Sequence, residues 1–168
     1  LLAQTNIPGY HQGMTKLDPV ETKAWRAFLG THSRLIPVLD QELAREMGLN
    51  LSQYEVLLRL NTEPNHAMRM SELAAQVVMS PSGVTRAVDQ LERRGLVERR
   101  VCSSDRRGFL AVLTDMGEAG LKRASTTHIR GIREHFTQRL TKEQLVQLAS
   151  LLEQVGGDLS VPPCDVAS

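Results

Sequence analysis

Two clusters near the middle of the chain have residue types and spacing suited to chemistry on a polyanion. The first lies in "MSPSGVTR", where Ser80, Ser82, Gly83 and Thr85 crowd the start of a helical pattern and Arg86 follows. Free backbone N–H groups and the positive end of a helix dipole favour a phosphate at such a place. A guanidinium one turn later can fork onto a guanine edge or a second phosphate. The second cluster is "SSDRRG", Ser103 to Gly108, which sets an acid and two arginines in a connection ending in glycine. Arg106 and Arg107 on a narrow loop suit a minor groove, whose negative potential attracts arginine. A carboxylate there repels a duplex unless it is paired, so Asp105 is expected to clamp Arg106, Arg107 or an arginine of the preceding helix and fix its direction.

Charge distribution singles out the same region. The 168 residues hold 20 Lys+Arg and 19 Asp+Glu, a balance that says nothing about partners. Residues 80–110, however, hold 7 basic and 4 acidic side chains, whereas the segments on either side are each net −1.

The elements that must position these clusters follow from periodicity and caps. Residues 1–17 read as an irregular arm. Asp18, Pro19 and Glu21 are a helix start; Trp25, Phe28, Leu29, Ile36, Leu39 and Leu43 then recur at helical intervals to Gly48, with a kink expected at Pro37. Ser52 and Glu55 suggest a capping box for a second helix, and Ala67–Met70 is a short apolar link. "SELAAQVV" gives a third helix. Ser80 and Pro81 start a fourth, with Val84, Ala87, Val88 and Leu91 inward and Gly95 at its end, leaving Ser82, Thr85, Arg86, Asp89, Gln90 and Arg93 on outer faces. "LVERRV" and "FLAVLT" have strand character and are joined by "CSSDRRG". A further helix starts near Thr114, with Met116, Ala119, Ile129, Ile132 and Phe136 as its apolar side and Gly120 and Gly131 as interruptions. Thr141 and Gln144 cap the last helix, whose stripe is Leu145, Leu148, Leu151, Leu152 and Val155. Residues 158–168 are expected to be a flexible tail. The fold class is mainly α with a small β wing: a winged helix-turn-helix lobe (50–114) between an N-terminal helix (18–48) and C-terminal helices (115–157).

The run "MSELAAQVVMSPSGVTRAVDQLERRGLVERRVCSSDRRGFLAVLTDMGEAGL" resembles the core of the MarR family of bacterial transcriptional regulators. Its most specific parts are "VTRAVDQLERRGLVERR" and "DRR" followed by "LT" and then Gly117. The resemblance implies an obligate homodimer with interlocked N- and C-terminal helices and two winged lobes on a near-palindromic operator in double-stranded DNA, most simply as a repressor. By match to the family motif, Ser80, Ser82, Thr85 and Arg86 would face the major groove, Arg107 would enter the minor groove and Asp105 would orient it. The family often holds a small anionic or aromatic effector between the dimerisation helices and the DNA lobe. Trp25, His32 and Tyr54 are candidates to line such a pocket, although each residue type also serves in an ordinary core. Apolar stripes at both chain ends likewise argue for a partner helix.

Other readings stay open. A winged-helix module can meet an acidic protein instead of DNA. Cys102, close to Arg99, Arg100, Arg106 and Arg107, has surroundings that stabilise a thiolate, so an oxidant-sensing regulator is an alternative, though the family's best-known sensing cysteine lies in the first helix, where this chain has none. His128 and His135 share a helix face, but the sequence identifies no further ligand, and neither a metal nor another cofactor is expected. The chain has no P-loop, HExxH or dinucleotide fingerprint, so a regulator is expected, not an enzyme. Two cysteines without a CxxC pair, no export-type start and no apolar run near the roughly 20 residues that span a bilayer point to a cytoplasmic, nucleoid-associated protein with no membrane partner.

Overall fold

The computed structural model describes residues 16–77, 80–102 and 105–157, and the side chains of these except at 102 and 105–107. Helix α1 (Pro19–Met47) starts as its cap dictates. Asp18 Oδ1 accepts from the Val20 and Glu21 amides at 2.6 and 2.8 Å, and the Glu21 carboxylate accepts from the Asp18 amide at 2.7 Å. Pro37 lies inside this helix without ending it; proline removes only one hydrogen bond, and Leu39 and Leu43 immediately beyond it are buried. The chain divides after Arg34 into two units. In the first, Trp25 and Phe28 stack with ring centroids 6.1 Å apart, and both rings are exposed along with Val20 and Leu29.

The second unit contains the core. Helices α2 (Leu51–Thr62), α3 (Met70–Gln76) and α4 (Pro81–Arg93) bury Leu57, Leu60, Leu73, Val84, Val88 and Leu91 together with Leu43. The cap of α2 is Asn50 with Gln53, not Ser52 with Glu55: the Gln53 amide donates to Asn50 Oδ1 at 2.8 Å and Gln53 Oε1 accepts from the Asn50 amide at 3.0 Å. The start lies two residues earlier, where Asp40 of α1 also accepts from the Leu51 amide at 2.7 Å, satisfying another early donor.

Three strands form one antiparallel sheet in the order β1-β3-β2. The link Ala67–Arg69 is itself strand β1, paired with Leu110–Val112. It follows a turn in which Asn65 and His66 both hold positive φ, 64° and 53°. Strands β2 (Val97–Cys102) and β3 (Asp105–Leu113) form the wing hairpin. Thus β3 begins four residues before Phe109, and Asp105, Arg106 and Arg107 belong to the strand instead of the connecting loop.

Helix α5 (Asp115–His135) starts at Thr114, whose hydroxyl accepts from the Gly117 amide at 3.0 Å. Its buried face is Gly117, Gly120, Leu121, Ala124, Thr127 and Gly131, while Met116 and Ile129 of the expected apolar side are exposed. Gly117 and Gly131 are therefore places of close packing, while Gly120 is buried with ordinary room around it. A Cβ on Gly117 would collide with the Leu96 carbonyl, and one on Gly131 with the Glu42 carboxylate. Helix α6 (Lys142–Gly157) is capped by Thr141 and Gln144 as expected and contains no buried residue; Val146, Leu151, Leu152 and Val155 lie exposed. No described helix is long and apolar enough to cross a membrane.

Candidate nucleic-acid interface

Helix α4 begins at Ser80, whose Oγ accepts from the Gly83 amide at 3.2 Å and lies 3.2 Å from Ser82 Oγ. Pro81 occupies the first helical position, where its missing donor costs nothing. Thr85 returns its hydroxyl to the Pro81 carbonyl at 3.1 Å, and Ser82, Thr85 and Arg86 are all exposed beside the buried Val84, Ala87 and Val88. The four candidate residues Ser80, Ser82, Thr85 and Arg86 thus share the first turns of one helix. At its far end the Gly95 and Leu96 amides bond back to the Glu92 and Leu91 carbonyls at 2.9 and 3.0 Å, with Gly95 at φ +69°.

Three side chains that spacing did not single out hold α4 in place. Gln53 of α2, 5% exposed, donates to Gln90 Oε1 at 2.7 Å, while Gln90 itself stays exposed on the outer face as expected. Arg99 of β2 pairs with Asp89 at 2.5 Å and with Glu92 at 3.0 Å, which neutralises the acids of α4 and ties the wing to it. Arg94 donates to the Gly48 and Met47 carbonyls. Such pairings join residues distant in the chain and leave no periodic signal, although paired acids on an outer helical face invite a search for a nearby arginine.

In the wing, Cys102 pairs with Asp105 in register, with a bulge between Val101 and Cys102. The expected clamp between Asp105 and Arg106 or Arg107, and the surroundings of the Cys102 thiol, fall on side chains outside the described ones. Arg100 pairs with Glu98 on its own strand.

The remaining candidates belong to different units. Trp25 and His32 are exposed on α1 in the first unit. Tyr54 is 5% exposed in the core of the second, its ring centroid 4.6 Å from that of His128 and its hydroxyl 3.4 Å from Ser125 Oγ. Burial holds the His128 pKa below its ordinary value, opposed by the charge of Glu55. His128 Nδ1 has no hydrogen-bond partner among the described residues. His135 turns instead to Glu42, Nε2 to Oε1 at 2.7 Å, and no three His, Cys, Asp or Glu converge among the described residues. Glu46 accepts from Arg130 at 2.7 Å and Thr127 at 3.0 Å, contacts that lower its pKa.

The helix-turn-helix and the first part of its wing fall within residues 49–109, which match the MarR family model. Over 123 residues, 70% of each chain, the sequence is 30% identical to the transcriptional repressor MprA of Escherichia coli. The chain belongs to the MarR family. Two solved regulators of the family from Streptomyces coelicolor share its fold. Sco3205, crystallised in complex with DNA, superposes with a TM-score of 0.79 at 34% identity, covering 84% of this chain and 92% of its own. AbsC gives 0.79 at 33% identity, covering 86% and 97%. This MarR-family chain is a DNA-binding transcriptional regulator with a winged helix-turn-helix lobe.

Proposed function

We propose that this MarR-family protein represses transcription as a homodimer bound to a pseudo-palindromic operator. The observation that carries the reading is the exposed start of α4, where Ser80, Ser82, Thr85 and Arg86 stand together on a helix braced through Gln53 and Arg99. In this reading α4 lies in the major groove, and Arg107 with Arg106 reaches the minor groove, directed by Asp105. The half-sites lie about one helical turn, roughly 34 Å, apart. Dimerisation is supported by α6, which leaves Val146, Leu151, Leu152 and Val155 uncovered by its own chain, and by the exposed Trp25, Phe28 and Leu29 of α1. A small aromatic or anionic effector releases the DNA by binding one arrangement of the lobes more tightly than the other.

Selection of bound duplexes from a random pool tests this. A near-palindrome is expected, with affinity falling steeply as salt rises because phosphate contacts release counterions. Preference for an acidic protein over any duplex, or a monomer in sedimentation at micromolar concentration, overturns the reading.

A further inference from the structure

The turn that leaves α4 is held by parts of the chain far away in sequence. Arg94 Nη1 donates to the Gly48 carbonyl at 2.5 Å and Nη2 to the Met47 carbonyl at 3.3 Å. Met47 ends α1, and carbonyls at such an end lack partners within the helix and carry the negative pole of its dipole. Gly48 stands at φ +62°, a conformation that ordinary side chains avoid, and so turns the chain directly after α1. The next two residues are held by the start of α5. Thr114 Oγ1 donates to the Gly95 carbonyl at 2.7 Å, its amide donates to the Leu96 carbonyl at 3.2 Å, and Gly117 packs against that same carbonyl.

Arg94 is not needed to end α4, because the backbone bonds of Gly95 and Leu96 already do so. Nor does it add much stability: its contacts are exposed, where solvent screens the charge and holding a long side chain costs rotamer entropy. A planar fork on two successive carbonyls does constrain direction. We propose that Arg94 is a positioning residue for operator recognition, locking the exit of α4 to the end of α1 so that the separation of two recognition helices, and hence half-site spacing, depends on this contact. The inference rests on the dimeric reading above.

The test measures binding of the full chain to duplexes carrying the selected half-site once, twice at the selected separation, and twice at one base pair more or less. Wild type, Arg94→Met and Arg94→Lys are compared. Wild type is expected to prefer the selected separation by about tenfold, and Arg94→Met by about twofold or less. Arg94→Lys, which keeps the charge and one donor to a carbonyl, should fall between them. Both variants should melt within about 3 °C of wild type, and the salt slope on the single half-site should be unchanged. A wild-type spacing preference in Arg94→Met overturns the proposal. So does an equal loss at every spacing with a salt slope shallower by about one, which would make Arg94 a phosphate contact. A flat spacing profile in the wild type removes the dimeric reading and this inference together, whereas a sharp profile in both proteins removes the inference alone.

Discussion

Arg86 and Arg107 occupy different supports, and in the proposed complex that difference decides what each reads. Arg86 is exposed on α4, where a guanidinium held against a base edge discriminates one position. Arg107 lies in β3, on the wing proposed for the minor groove, where contacts depend on groove shape and charge more than on base identity. Arg86→Ala is therefore expected to cost about 1 to 3 kcal/mol on the selected operator and to relax preference at one position. Arg107→Ala should weaken binding across sequences. Duplex selection repeated with each variant checks this, and an exchange of the two outcomes would reverse the assignment. The candidate site is legible at this scale only in part. Ser80, Ser82, Thr85 and Arg86 announce themselves because a cap and its following turn are contiguous in sequence, whereas Arg94 and Arg99 gain their roles from partners that only folding brings near.

Among the elements, α5 shows how close packing can look like a defect in a sequence. Gly117 and Gly120 are both buried in it, yet their surroundings differ. A methyl group on Gly117 would meet the Leu96 backbone carbonyl, while one on Gly120 would lie 3.6 Å from Leu96 Cδ2, an ordinary contact. Gly120→Ala should therefore stabilise the protein by up to about 1 kcal/mol, since alanine loses less backbone entropy in a helix. Gly117→Ala should destabilise it by about 1 to 3 kcal/mol through overpacking against backbone that has little freedom to move. Urea denaturation of the two variants beside wild type measures the opposite signs. The caps at Asp18, Ser80, Thr114 and Thr141 are legible in sequence because each is decided within one turn. Strand β1 is not: three residues carry no period, and their strand character comes from a partner more than 40 positions later. The buried face of α5 is hidden for a related reason, because its glycines and Thr127 are buried by close neighbours distant in sequence, such as the Leu96 carbonyl and the Glu42 and Glu46 carboxylates, and not by their own hydrophobicity.

For the whole molecule, two expectations concern stability and assembly. His128 is held neutral by burial against Tyr54, with its pKa below the ordinary value. As pH falls through about 6.5 the unfolded chain takes up a proton that the folded chain resists, so this group's contribution is fully present above that value and is lost progressively toward the folded pKa. Denaturation midpoints at a series of pH values should therefore fall less steeply for His128→Leu than for wild type on acidification; parallel curves would contradict this. The second expectation concerns α6. Replacing Leu151 and Val155 together by lysine should yield monomers in sedimentation and reduce two-half-site binding toward that of a single site, with little change in melting, because neither side chain is buried within its own chain.

The sheet order β1-β3-β2 also constrains how the chain reaches this state. The β2–β3 hairpin needs only a short loop and can form early, but β1 can join β3 only after α3 and α4, which lie between them in sequence, have closed the gap. The central strand is therefore expected to pair along one edge first and to acquire its second edge late. Pulsed hydrogen exchange during refolding should protect the β3 amides that bond to β2 before the β3 amides that bond to β1. A three-residue strand at the edge of a wing is then a record of when the helix-turn-helix has assembled.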